Sequence, residues 1–251
     1  MMLNMKRAGR FAGACLVAWM NIGSAAAETV TLTSLEWPPY TGAALKEQGA
    51  SVAVAKAAFA AMGHELKVEF YPWRRAVALA KDDPGYDGYF PEYYAEELKA
   101  EFVLSAPIGN GPLGFAQRID KPITWNTLDD LAKYTIGTVS GYVNTTEFDA
   151  RVADKRLRAD EASDDARNLL KLAGGRVDLA VVDQNVLGYL LATDKALASA
   201  KDKLNFNERL LEDKELFICF KKGERGEKLA AILAEGLRKI DVQAIMQQHL
   251  Q

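Results

Sequence analysis

Two cysteines and two histidines are all that the 251 residues carry of these types. A zinc cluster of Cys and His ligands would need Cys15, His64, Cys219 and His249 together, and they lie far apart in the chain. A histidine-based nucleophilic triad is equally poorly supplied. His64 follows a helix-ending glycine and His249 sits near the end of the sequence, so both read as surface residues. There is no Gly-x-Ser-x-Gly elbow, no phosphate loop and no His-Glu-x-x-His. Charge of one sign is also lacking. With 31 basic and 34 acidic residues the net charge is −3, which gives no electrostatic pull towards nucleic acid or an anionic membrane. No metal, cofactor or nucleic acid is therefore expected. The apolar run from Phe11 to about Gly23 is shorter than the ~18–20 residues that span a bilayer, and Asn21 interrupts it.

What is there begins with a leader. Lys6, Arg7 and Arg10 precede that apolar run, and Ser24-Ala25-Ala26-Ala27 follows it. Ala25 and Ala27 fit the small-x-small rule for signal peptidase, so 1–27 is expected to be a cleaved signal peptide, with Glu28 first in the mature chain. Lipidation at Cys15 is disfavoured, because the apolar run continues past it and Ala12-Gly13-Ala14 is a poor lipobox. Cleavage removes three basic residues and no acid. It leaves Cys219 alone, so no intrachain disulfide is expected in an oxidising compartment. Cys219 lies in the apolar run Leu216–Phe220 and reads as a buried, inert thiol.

At 49% hydrophobic and 26% charged, the composition is that of a globular chain. Strand-like and helix-like stretches alternate. Strands are expected at 29–33, 66–71, 86–90, 101–105, 114–118, 134–139, 178–182 and 216–221. Helices are expected at 51–62, 74–81, 127–132, 163–173, 185–193 and 227–240, with a last short one reaching His249. The rhythm means α/β architecture: mostly parallel sheet, helices on its faces, two βα series in two lobes.

Ligands bind at the carboxyl ends of strands in open α/β sheets. Here those ends are polar and aromatic: Glu36-Trp37-Pro38-Pro39-Tyr40, Pro72-Trp73-Arg74-Arg75, Pro91-Glu92-Tyr93-Tyr94, Ser140-Gly141-Tyr142-Val143-Asn144 and Asp183-Gln184. Any one of these could be ordinary packing or, for Asp183, a helix cap. Five together point to a cleft with aromatic walls and charged anchors.

These segments, with Tyr86-Asp87-Gly88, Leu104-Ser105-Ala106-Pro107-Ile108, Leu128-Asp129-Asp130-Leu131, Ile136–Gly141 and Gly175–Asp183, follow the order seen in bacterial extracellular solute-binding proteins of family 3, which the chain resembles over nearly all of the mature sequence. The resemblance implies a type II periplasmic-binding-protein fold. Lobe 1 would comprise 28–109 plus 218–251 and lobe 2 would comprise 110–217, with crossings near Gly109–Phe115 and Glu215–Phe220. It implies a periplasmic, monomeric, non-enzymatic receptor that hands a small polar ligand to an ABC permease of the inner membrane. By position, Trp37 would cover the ligand and Trp73 would wall it. Pro91–Tyr94 and Gly141–Val143 would meet a carboxylate, and Asp183 would pair with an ammonium.

One departure stands out. The family's amino-acid receptors place an arginine on the short helix where this chain has Leu98, and neither leucine nor the nearby Lys99 reproduces the bidentate grip of a guanidinium. Arg75 could substitute from another wall, or be a solvated residue at a helix start. Glu36, Glu92 and Asp183 would make the cleft acidic and favour a cationic ligand, with cation–π contact from Trp37, Trp73 and Tyr93. Two alternatives remain. One is a sensing subunit that docks on a membrane protein. The other is an enzyme similar to cyclohexadienyl dehydratase, with Glu92 as general acid.

Overall fold

The structure, a computed structural model, describes residues 28–250. The expected signal peptide, 1–27, lies outside the described residues.

Ten strands form one curled sheet: β1 (Thr29–Ser34), β2 (Glu65–Phe70), β3 (Gly88–Tyr93), β4 (Phe102–Leu104), β5 (Gly109–Arg118), β6 (Thr135–Val139), β7 (Arg158–Ala162), β8 (Leu179–Asp183), β9 (Leu204–Phe206) and β10 (Glu212–Lys221). Seven helices cover it: α1 (Ala50–Ala60), α2 (Trp73–Asp82), α3 (Thr146–Ala153), α4 (Asp165–Ala173), α5 (Gln184–Thr193), α6 (Glu224–Leu237) and α7 (Val242–His249). The strand order is β2-β1-β3-β10-β5-β8-β6-β7, with β4 beside β10 and β9 beside β5. Each flank is parallel, β1 with β2 and β3 on one side and β6 with β7 and β8 on the other. The two flanks meet through β5 and β10, which pair antiparallel from Gly109 opposite Leu216 to Leu113 opposite Glu212. Beyond that ladder the partners diverge. β10 continues against β3 and β4, and β5 continues against β8 and β9.

Several elements differ from the expectation for identifiable reasons. β10 begins at Glu212 rather than Leu216. Its first residues, Glu212-Asp213-Lys214-Glu215, read as a charged linker, yet they pair backbone to backbone with β5. Pro91 and Glu92, expected in a loop, are inside β3. A register shift in the β3–β10 ladder falls opposite this stretch, so the proline's missing N–H breaks no regular pair. α3 and β7 were not anticipated. β7 is an edge strand, Arg-Ala-Asp-Glu-Ala, mostly exposed, without the apolar alternation that marks a half-buried strand. The segment expected as a helix at 127–132 is one 3-10 turn, Leu128–Leu131, closed by a Thr127–Asp130 capping box.

Burial follows the two flanks. On the first side Phe59 meets Phe220 edge to face at 6.4 Å between centroids, and on the second Phe115 packs against Trp125 and Phe148. Cys219 is wholly buried and unpaired by any disulfide. Helix α6 lies so close to α1 that a Cβ at Gly236 would collide with the Ala58 carbonyl group. A helix-interior Gly→Ala change ordinarily stabilises by about 1 kcal/mol. Here Gly236→Ala should instead destabilise by roughly 1–3 kcal/mol, the cost of overpacking. Urea denaturation checks the sign, and a stabilised variant would mean that α6 slides freely over α1.

Candidate functional site

The tight turn after β1 is closed by the Trp37 amide donating to the Thr41 carbonyl at 2.8 Å and by the Thr41 hydroxyl donating to the Leu35 carbonyl. It stacks Trp37 on Tyr40 with centroids 4.5 Å apart. Trp73 opens α2. Pro91, Glu92 and Tyr93 end β3. From the other flank, Gly141 turns the chain after β6 with φ +83°, a value glycine adopts without strain, and presents Tyr142 and Val143. These residues meet. Leu35, Trp37, Trp73, Pro91, Glu92, Tyr93 and Leu216 from one side and Tyr142 and Val143 from the other enclose a central cavity of about 20 Å³, room for about one water-sized group.

A wider recess of about 420 Å³ adjoins it. Leu35, Trp73 and Tyr142 line both spaces, and Glu36, Tyr71, Asp164 and Arg167 line only the recess. The Trp73 and Tyr142 rings meet edge to face, 5.9 Å apart at 84°, between the two.

Three contacts hold the sides together. The Trp73 indole N–H donates to the Gly141 carbonyl at 2.9 Å. The Tyr40 hydroxyl donates to Asp183 Oδ2 at 3.0 Å. The Asn185 side-chain amide donates to the Tyr40 oxygen at 2.8 Å. Gly111, on the β5 crossing, leaves space for the Tyr40–Asp183 pair, and a Cβ there would strike both groups.

Four expected residues do not line the central cavity, one of them Gly141, whose carbonyl accepts from Trp73 at its edge. Glu36 is exposed, accepts a hydrogen bond from the Ala43 amide at 3.1 Å and lines the outer recess. Arg75 is exposed, with its guanidinium 5.0 Å from the Tyr71 ring centroid; the first turn of α2 points Trp73 inward and Arg75 away from it. Asp183 is 1% exposed but does not line the cavity. Its Oδ1 caps α5 by accepting from the Asn185 and Val186 amides, and its Oδ2 accepts from Tyr40. Leu98 packs on the core edge, and Lys99 pairs with Glu96 at the surface. No lysine or arginine therefore lines the cavity.

The sequence reading missed Tyr40, Asn185, Asp165 and Lys214. Tyr40 stood within the Trp-Pro-Pro-Tyr segment, and Asn185 two places past Asp183. Asp165 lay unremarked within the helix expected at 163–173, but it is buried and accepts from the Tyr142 hydroxyl at 3.2 Å. Lys214 hid in the charged stretch. It is buried, with its ammonium 5.5 Å from the Tyr93 ring centroid.

Burial dominates the electrostatics. Desolvation pushes the Glu92 carboxyl up to about 8, although the Tyr93 amide, the Tyr89 hydroxyl and the charge of Lys214 favour its ionised form. Desolvation likewise pushes Asp165 and Asp183 up to about 7, against hydrogen bonds from Tyr142 to Asp165 and from the α5 amides and Tyr40 to Asp183. Asp165 and Asp183 also repel one another. The Tyr93 phenol is pushed well up by the same burial and by the charges of Asp183 and Asp165. Its hydroxyl is buried without a hydrogen-bond partner, and the buried Trp37 indole N–H, short of good hydrogen-bond geometry, faces the Asp165 carboxyl and favours its ionised form. The arrangement is an enclosed aromatic space with an acidic surround, suited to binding and lacking a nucleophile–base pair.

The backbone is similar to solved structures of ligand-binding domains. A histidine kinase sensor domain described as similar to periplasmic binding proteins is 18% identical, with TM-score 0.74, over 88% of this chain and 95% of that one. An ancestral arginine-binding protein bound to arginine is 16% identical, TM-score 0.71, over 88% and 97%. An arginine transport-system periplasmic binding protein from Legionella pneumophila is 15% identical, TM-score 0.71, over 89% and 100%. No protein-family model matches the chain, and no curated protein sequence matches it. The fold is that of type II periplasmic-binding, or Venus-flytrap, domains, with two βα lobes joined by two crossings.

The raised carboxyls have a consequence for stability. The unfolded chain releases these protons in the ordinary carboxylate range, near 4. The folded chain keeps them up to about 7 for Asp165 and Asp183 and about 8 for Glu92. Between those limits the folded state binds more protons, so stability falls as pH rises. Melting temperature should decline from mildly acid pH towards 8. Asp165→Asn, which removes one of the three protons and still accepts from Tyr142, should flatten the decline. A flat profile in the parent protein would contradict the assignment.

Proposed function

We propose that this chain is a periplasmic solute-binding protein. It captures a small polar ligand, an amino acid or a related amine or zwitterion, between lobe 1 (28–109 with 218–251) and lobe 2 (110–217), and delivers it to an ABC permease in the inner membrane. The observation that carries this reading is the meeting of Trp37, Trp73, Pro91, Glu92 and Tyr93 with Tyr142 and Val143 around one space between the flanks, where Trp73 also bonds to the Gly141 carbonyl. Asp183 serves it from behind, holding Tyr40 against the second lobe. Two similar structures are of arginine-binding proteins, in keeping with a cleft whose buried charges are acidic. The role is capture and not catalysis.

A second reading has its own support. The similar histidine kinase sensor domain makes the closed clamp a candidate signal to a membrane protein. The capture step is common to both.

A ligand held between lobes binds the closed form better and draws the population towards it. At about 100 times the dissociation constant it adds ~2.7 kcal/mol of stability, a melting shift of several degrees in a protein of this size. A thermal-shift screen of amino acids, polyamines and small carboxylates, followed by X-ray scattering on each hit, should find a ligand that raises the melting temperature and reduces the radius of gyration. Tight binding without compaction would contradict the clamp.

A further inference from the structure

We propose that the central cavity is an aromatic cage for a small N-methylated ammonium cation, with choline as the representative ligand. This deepens the reading of the interlobe space as a capture site and rests on it.

The first ground is ring geometry. Trp37 and Tyr93 meet at 6.0 Å and 83°, and Trp73 and Tyr142 at 5.9 Å and 84°. All four line the same cavity, so two perpendicular ring pairs wall one space. A cation is recognised where it meets the negative faces of such rings, the arrangement that holds quaternary ammonium groups; one face of Trp37 is stacked on Tyr40 and one of Tyr93 is met by the Lys214 ammonium, so it is the remaining ring faces that are offered.

The second ground is charge. Glu92 lines the cavity, and Asp165 and Asp183 stand behind Tyr142 and Tyr40. Among the described residues the only buried lysine or arginine is Lys214, whose ammonium lies by the Tyr93 ring and is shared with Glu212. Among the described residues, no three histidine, cysteine, aspartate or glutamate side chains gather closely enough to hold a metal ion. The favoured cation is therefore organic.

The third ground is hydrogen-bonding capacity, and it separates one class of cation from another. Both Glu92 oxygens are already engaged, one by the Tyr93 amide at 2.9 Å and the other by the Tyr89 hydroxyl at 3.1 Å. The Gly141 carbonyl is taken by Trp73. Each of these oxygens keeps one further lone pair, but a primary ammonium brings three N–H donors and a guanidinium five into a lining that is otherwise aromatic and aliphatic, and each buried donor left unpaired is costly. An N-methylated nitrogen brings none. The unpartnered Tyr93 hydroxyl is left to meet an oxygen on the ligand, as choline's hydroxyl provides.

Size is set by the lobes. The closed cavity accepts little more than one methyl group, so a trimethylated head enters by parting Tyr142 and Val143 from the opposite wall, and the recess beyond Trp73 and Tyr142 gives the path. Entry of a cation favours the ionised form of Glu92, so binding at neutral pH releases a proton.

The test is calorimetry on the whole protein with choline, tetramethylammonium, glycine betaine, putrescine and L-arginine, in buffers of different ionisation enthalpy. Choline and tetramethylammonium should bind saturably with proton release. Betaine should bind more weakly, because its carboxylate meets Glu92 and no lining cation. Tyr142→Phe should keep the affinity and Tyr142→Leu should lose roughly tenfold, the value of one ring face. Glu92→Gln should abolish the proton release, and circular dichroism shows whether each variant is folded. No saturable binding of either choline or tetramethylammonium to the parent protein overturns the cage. If arginine or putrescine then binds with lobe closure, the capture reading stands without the cage, and if no probe binds, both fall.

Discussion

Everything between the two halves of this molecule depends on one short antiparallel ladder. Gly109–Leu113 and Glu212–Leu216 pair with each other, and among the described residues no other strands pass from one flank to the other. A two-stranded ribbon twists and bends more readily than a broad sheet. The flanks, each stiffened by a parallel sheet with helices packed on it, are therefore joined at the most deformable part of the sheet. The position of every cleft residue follows. The parallel strands of each flank aim their carboxyl ends at the space beside the ribbon, which is why residues as distant in sequence as Trp37 and Tyr142 share a cavity wall.

The polar groups of the cleft are largely engaged with one another. Asp183 illustrates this best. It caps α5 with one oxygen and accepts from Tyr40 with the other, so one carboxylate joins local helix stability to contact between the lobes. Glu92 is similar, with its oxygens divided between its own strand's backbone and Tyr89. The contact between the flanks is thus built from the protein's own hydrogen bonds, and the wall left around the cavity is mainly one of aromatic rings. Burying three carboxyls beside a single buried lysine is costly unless protons or a cation neutralise them, and this cost couples closure to what the cleft holds.

Much of the fold was legible from the sequence because apolar periodicity reports burial directly. The strand at Leu216–Lys221, the helix at Ser163–Ala173 and the first βα unit stand at or near their expected places. Two of the strand misses share a cause. β7 and the first half of β10 are built from charged residues held by backbone pairing, which carries no sequence signature. The candidate site was legible as a collection of strand ends but not as a geometry. Trp73 and Arg75 are two residues apart, and which of them faced inward was decided by the phase of α2 against the sheet. Asp165 looked like any acid at a helix start, since only the packing of Tyr142 over it reveals its burial.

The Trp73 indole spans the lobes through its bond to the Gly141 carbonyl and stands between Tyr89 and Tyr142. Separation of the lobes would break that bond, withdraw the Tyr142 edge and admit water to the indole. The emission of Trp73 would then shift to longer wavelength, whereas Trp125, packed on Phe115 away from the cleft, would be unaffected. The protein thus carries its own optical gauge of lobe separation, readable without any label.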